Sequence, residues 1–141
     1  MIHSRAAFAG ATAFLLALAP MAQAKTVKIS GHFVTENGAT TQPSGEVTGM
    51  FDTTTSKVTY KITYSGLSGP VVAAHFHGPA SEGQDAPVML PIPGPFHSGM
   101  HDTLTANAAT AKALLAGMTY VNLHTAKYQA GEARAQISTG P

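Results

Sequence analysis

The chain has 141 residues, 44% of them hydrophobic and 11% charged, with a formal net charge of +1. That length supports one domain, and the apolar content excludes a disordered chain. The complete absence of cysteine removes disulfides, thiolate metal sites, iron–sulfur clusters and thiol nucleophiles, and no run of lysine or arginine offers a surface to nucleic acid.

Residues 1–24 read as a targeting segment rather than as fold. Arg5 lies in a short polar start, Ala6 to Met21 is almost wholly apolar, and Ala22-Gln23-Ala24 is the small-x-small pattern that a signal peptidase needs. The apolar stretch falls short of the ~20 residues that span a bilayer, and no basic cluster follows it. The expectation is a cleaved secretory signal, with an uncleaved anchor as the lesser alternative, and a mature chain of residues 25–141, periplasmic or secreted and free of the membrane once cleaved.

Strand signals dominate residues 25–77. Thr26 to Val34 is rich in β-branched residues and ends at the turn-prone Glu36-Asn37-Gly38. Glu46 to Phe51 is a second candidate, introduced by Pro43-Ser44-Gly45. Val58, Tyr60, Ile62 and Tyr64 alternate with Thr59, Lys61 and Thr63, a clear period of two. Val71 to His77 forms the next strand, stopped by Gly78-Pro79.

Residues 78–101 are irregular. Pro87, Pro91, Pro93 and Pro95 limit Val88 to Ile92 to a sheet edge. His101 to Thr105 is a short strand. Residues 107–116 form the one convincing helix, capped by Asn107 and ended by Gly117. Met118 to Thr125 and Glu132 to Thr139 are two closing strands joined through Tyr128 to Gly131. Short strands at this spacing predict an all-β sandwich or flattened barrel. Its expected core includes Phe33, Val58, Tyr60, Ile62, Phe76, Leu115, Val121, Leu123 and Ile137.

Seven histidines stand against only eight basic and seven acidic residues, and their placement is the main functional clue. In His75-Phe76-His77, strand parity sends both imidazoles to one face while Ala74 and Phe76 enter the core. In the late strand, Tyr120, Asn122 and His124 share an outward face opposite Val121 and Leu123. If the two strands are close, His75, His77 and His124 form a three-imidazole metal site. Asn122 or Thr125 then supports it by orienting a ring through its other nitrogen. His97-Ser98-Gly99-Met100-His101 supplies a loop with two more imidazoles and a thioether, a mixture that suits copper over zinc. His32 has no companion and reads as a surface or structural residue.

Catalytic patterns are thin. No serine sits in a G-x-S-x-G frame, no phosphate-binding loop occurs, and the carboxylates form no matched pair. Glu132 and Arg134 fall on one face of the last strand, where an ion pair is expected.

The ordered stretches Ala74-His75-Phe76-His77-Gly78-Pro79-Ala80, Pro87-Val88, Thr103-Leu104-Thr105, Leu114-Leu115-Ala116-Gly117, Tyr120-Val121-Asn122-Leu123-His124-Thr125 and Gly131-Glu132-Ala133-Arg134-Ala135-Gln136-Ile137 closely resemble the CHRD domain. That family is named for chordin and recurs in secreted microbial proteins. The resemblance runs from about Thr26 to Ile137, nearly all of the mature domain at residues 25–141, and implies an immunoglobulin- or copper–zinc-dismutase-like Greek-key barrel. It implies no settled activity. Two features depart from the family pattern: Tyr128-Gln129-Ala130-Gly131 replaces the usual proline–glycine turn, and His97 and His101 are not usual family positions.

The likeness to the copper side of a dismutase is local, because the zinc loop, the disulfide and the arginine over the copper are not recognisable. The leading reading is a secreted or periplasmic domain that binds a transition metal, copper favoured, for storage, delivery or sensing, with an extracytoplasmic protein as a partner it could serve. A metal-free interaction module and a dismutase-like copper enzyme stay open as alternatives.

Overall fold

A computed structural model describes residues 25–140. The expected signal segment, residues 1–24, lies outside the described residues. Alternating sequence builds most of the architecture directly. In β4 (Lys57–Ser65) the side chains of Val58, Tyr60 and Ile62 are buried while Lys57, Thr59 and Lys61 are exposed. Its neighbours are β3 (Ser44–Asp52) and β7 (Met100–Thr105), and β3 pairs in turn with β1 (Thr26–His32).

The second layer holds β5 (Val71–His77), the edge strand β6 (Val88–Pro91) and β8 (Thr119–Thr125). One long strand, β9 (Ala133–Gly140), connects the layers. Its start pairs with the two-residue β2 (Val34–Thr35) and with β8, and its end pairs with β1. All pairings are antiparallel, in the order β6-β5-β8-β9-β1-β3-β4-β7. This is the expected all-β sandwich. The first strand is broken at Phe33, whose side chain is buried and whose N–H turns to the Gly45 carbonyl at 3.0 Å.

The helix α1 (Ala108–Leu115) is the only one among the described residues. Asn107 caps it by accepting from the Thr110 N–H at 2.9 Å, and Gly117 ends it at a φ of 69°. Thr110, Ala113 and Leu114 make its buried stripe. The expectation of Leu115 in the core is corrected: it lies one residue beyond that stripe and is 46% exposed. Leu114 takes the core position. The other expected core residues are all buried, with Phe76 packed edge-on to Tyr60 at 5.8 Å between centroids. Burial raises the Tyr60 hydroxyl to about 12, with Asp102 adding to the shift.

β8 departs from simple alternation. It lies between β5 and β9 and is hydrogen-bonded along both edges. Val121 and Leu123 enter the core as expected, but Tyr120 and Asn122 on the opposite face are also buried. Two connections fold over that face. The residue 78–87 segment brings the carbonyls of Ala80, Ser81, Gln84 and Ala86, and the residue 36–43 segment brings Glu36. The outer face of this sheet is therefore a covered polar layer rather than a solvent surface.

Candidate metal centre

The site grows from the register between β5 and β8. His75 lies opposite Asn122, His77 opposite Tyr120, and Ala73 opposite His124. With Ala74 and Phe76 in the core, His75 and His77 project into the outer layer on the same side as His124. Diagonal neighbours across an antiparallel pair are within reach of long side chains. Ring centroids are 5.0 Å apart for His75 and His124, 5.5 Å for His75 and His77, and 6.3 Å for His77 and His124. One nitrogen from each ring lies within 4.8 Å of the others. All three rings are partly buried.

Hydrogen-bond partners assign the tautomers. His124 Nδ1 is 2.8 Å from the Gln129 carbonyl, and His77 Nδ1 is 2.9 Å from the Ala86 carbonyl. A carbonyl only accepts, so both Nδ1 atoms carry protons and both Nε2 atoms keep lone pairs. His75 Nδ1 then donates to His124 Nε2 across 3.1 Å. His77 Nε2 is buried with no hydrogen-bond partner. An unpaired buried acceptor costs free energy unless something binds it.

The nitrogens these bonds leave for a shared ion are therefore His77 Nε2 and His124 Nε2, joined by His75 Nδ1 once its proton has moved to Nε2. Two nitrogens held by one tetrahedral ion at ~2.0–2.1 Å lie about 3.3 Å apart. The His75–His124 pair already has nearly that spacing, and the residues fit a metal.

Electrostatics favours the neutral form. Burial holds both the His75 and His77 rings below their ordinary value. For His75 the other two rings add to the effect; for His77 the Ala86 carbonyl opposes it, and His124 and Arg134 add to it. Neutral imidazole is the ligand form.

Other expected members fall elsewhere. Met100 is buried between the sheets, and His97 and His101 are exposed beside a separate hollow with Tyr60, Pro95 and Asp102. The reason is pairing: Met100 and His101 sit on β7 opposite Ile62 and Lys61 of β4, in the other sheet. His32 is exposed. Asn122 and Thr125 hydrogen-bond no ring. Asn122 donates to Glu36, and Thr125 donates to Glu132 at 2.6 Å. Backbone carbonyls take the orienting role instead.

The expected Glu132–Arg134 pair does not form. The Glu132 side chain is fully buried and accepts from the hydroxyls of Thr41, Ser68 and Thr125 and from the Ser68 N–H, at 2.6–2.7 Å. Burial works to raise its carboxyl, but these bonds outweigh burial and hold it below the usual range. Arg134 turns the other way and meets Glu36 at 3.4 Å. There burial wins over the guanidinium, so the Glu36 carboxyl is raised.

The model of the CHRD domain family matches residues 25–137. The chain belongs to the CHRD family. No curated protein and no solved structure matches it. The matched span contains all three converging histidines of this CHRD chain, together with the carbonyls of Ala86 and Gln129 that orient them. Sequence reasoning misses those carbonyls and Glu36, and gives the Tyr120 ring no role. Parity does place Tyr120 beside the histidines, but backbone carbonyls and a glutamate 86 positions from Asn122 leave no local signal.

Proposed function

We propose that this CHRD protein binds a transition metal, with copper favoured, through His75, His77 and His124. Its role is storage, delivery or sensing outside the cytoplasm, with a metal-exchanging protein as partner. The observation that carries the reading is the convergence of three imidazoles, one nitrogen of each within 4.8 Å of the others, with the Nε2 of His77 buried and unpartnered. Copper is favoured because it heads the affinity order for nitrogen donors, and because no carboxylate joins the group. Met100 adds nothing to that preference, since it is in the core.

The leader-like residues 1–24 support a periplasmic or secreted location. Among the described residues no helix is long and apolar enough to cross a membrane. A metal-free interaction module is the second reading, favoured by the His75–His124 hydrogen bond, which satisfies that pair without an ion.

Titration of Cu(II) and Zn(II) into purified protein separates the two readings. The metal reading expects uptake of one copper per chain, abolished in His75→Ala and His124→Ala. No stoichiometric uptake, or uptake indifferent to both substitutions, leaves the interaction module.

A further inference from the structure

His75 and His124 hold each other through their 3.1 Å hydrogen bond. His77 is set differently, by residues outside the trio. Its ring lies flat against Tyr120, with centroids 5.0 Å apart and planes 9° apart, and its Nδ1 donates to the Ala86 carbonyl. Tyr120 and Ala86 are themselves joined, because the Ala86 N–H donates to the Tyr120 hydroxyl oxygen at 3.1 Å. Ring, hydroxyl and carbonyl form a closed bracket around one imidazole.

Arg134 closes the bracket from behind. Its guanidinium carbon is 3.5 Å from the centroid of the Tyr120 ring. The same group donates to the carbonyls of Gln84 at 2.7 Å and Ser81 at 2.9 Å, in the segment that carries Ala86. One side chain thus pins both the aromatic surface behind His77 and the loop that orients its Nδ1. Lysine keeps the charge but has neither the flat face nor the fork of donors.

We propose that Tyr120 and Arg134 are positioning residues that preset His77 as the third metal ligand, a role that rests on the metal-binding function. The χ2 torsion of histidine is broad and roughly two-fold. Without the bracket, the ring turns over, exchanges Nδ1 for Nε2, and takes its lone pair away from His75 and His124. Partners that orient a ligating histidine are typically worth 10–100-fold in metal affinity.

Cu(II) dissociation constants for wild type, Tyr120→Phe, Tyr120→Leu and Arg134→Lys test this, with pulsed EPR counting the imidazoles on copper. Tyr120→Phe keeps the flat face but loses the hydroxyl that accepts from the Ala86 N–H, so it should weaken binding less than Tyr120→Leu and Arg134→Lys, which should weaken it by about 10–100-fold. In those last two variants the count should fall from three imidazoles to two. A purely structural role would lower thermal stability yet leave three imidazoles and an unchanged constant, and that result overturns the proposal alone. No copper uptake by wild type overturns the metal reading and this proposal with it. The copper-free wild type supplies an arm that does not depend on variants folding. Long-range proton–nitrogen NMR should show His77 protonated at Nδ1, and a proton at Nε2 overturns the bracket.

Discussion

His75 Nδ1 and His124 Nε2 approach to 3.1 Å although the residues are 49 positions apart in the chain. The contact exists because β5 and β8 pair antiparallel with Ala73 opposite His124, which makes His75 a diagonal neighbour. Only one proton fits between the two nitrogens. A metal bound here takes the place of that proton, so uptake and protonation compete for the same lone pairs.

That competition gives a pH dependence. His75 and His77 are held below their ordinary value in the fold, so the unfolded chain takes up protons first as pH falls. Stability without metal should therefore decline as pH drops through ~6.5 and stop declining below the folded values. Melting temperatures of metal-free protein across the histidine titration range check the sign, against a His75→Ala/His77→Ala variant whose profile should be flatter. A wild-type melting temperature that rises on acidification through this range contradicts the burial of the rings.

Glu132 predicts a separate, structural effect. Its carboxylate joins the residue 36–43 segment, the Ser68 turn and β8 through Thr41, Ser68 and Thr125. Glu132→Ala strands the Ser68 N–H and should cost about 3 kcal/mol or more in denaturant unfolding. Because its folded value is lowered, its contribution is full above the unfolded value of ~4.3 and is lost as pH falls through the folded value. An Ala variant within about 0.5 kcal/mol of wild type, the range of ordinary surface changes, contradicts this role.

The helix gives a clean contrast between adjacent residues. Leu114 is fully buried and Leu115 is 46% exposed. Leu114→Ala should cost about 2–5 kcal/mol, as for other buried leucines. Leu115→Ala should fall within about 0.5 kcal/mol of wild type. Urea unfolding of both variants measures the difference, and equal losses would contradict the helix phase.

Gly131 shows how tightly the outer layer is closed. It adopts a φ of 120°, and an added Cβ would overlap the Asn122 side-chain amide. Gly131→Ala should displace Asn122 from Glu36 and disturb the turn whose Gln129 carbonyl orients His124. Reduced melting temperature together with weaker copper binding is the expected outcome. A variant unchanged in both measures contradicts the packing.

These relationships divide according to what strand parity and composition can carry. The period of two in Val58–Tyr64 makes β4 legible, and the same rule puts His75 and His77 on one face. Asn107 and Gly117 mark the helix ends to within a residue or two. Parity gives a face but not what covers it. Tyr120 and Asn122 point outward by parity, and nothing local says that residues 36–43 and 78–87 fold back over them. The loop histidines fail for a related reason. His97 and His101 share composition with the site, but β7 pairs with β4 in the other sheet, and pairing partners are a non-local property.

X-ray absorption at the copper edge of the loaded protein tests the central claim most directly, because it counts the imidazoles bound to the ion. Three histidine nitrogens at ~2.0 Å in wild type, falling to two in His124→Ala, is the predicted result. Copper bound with no imidazole signature, or with a count unchanged by removing His124, would contradict the three-histidine site.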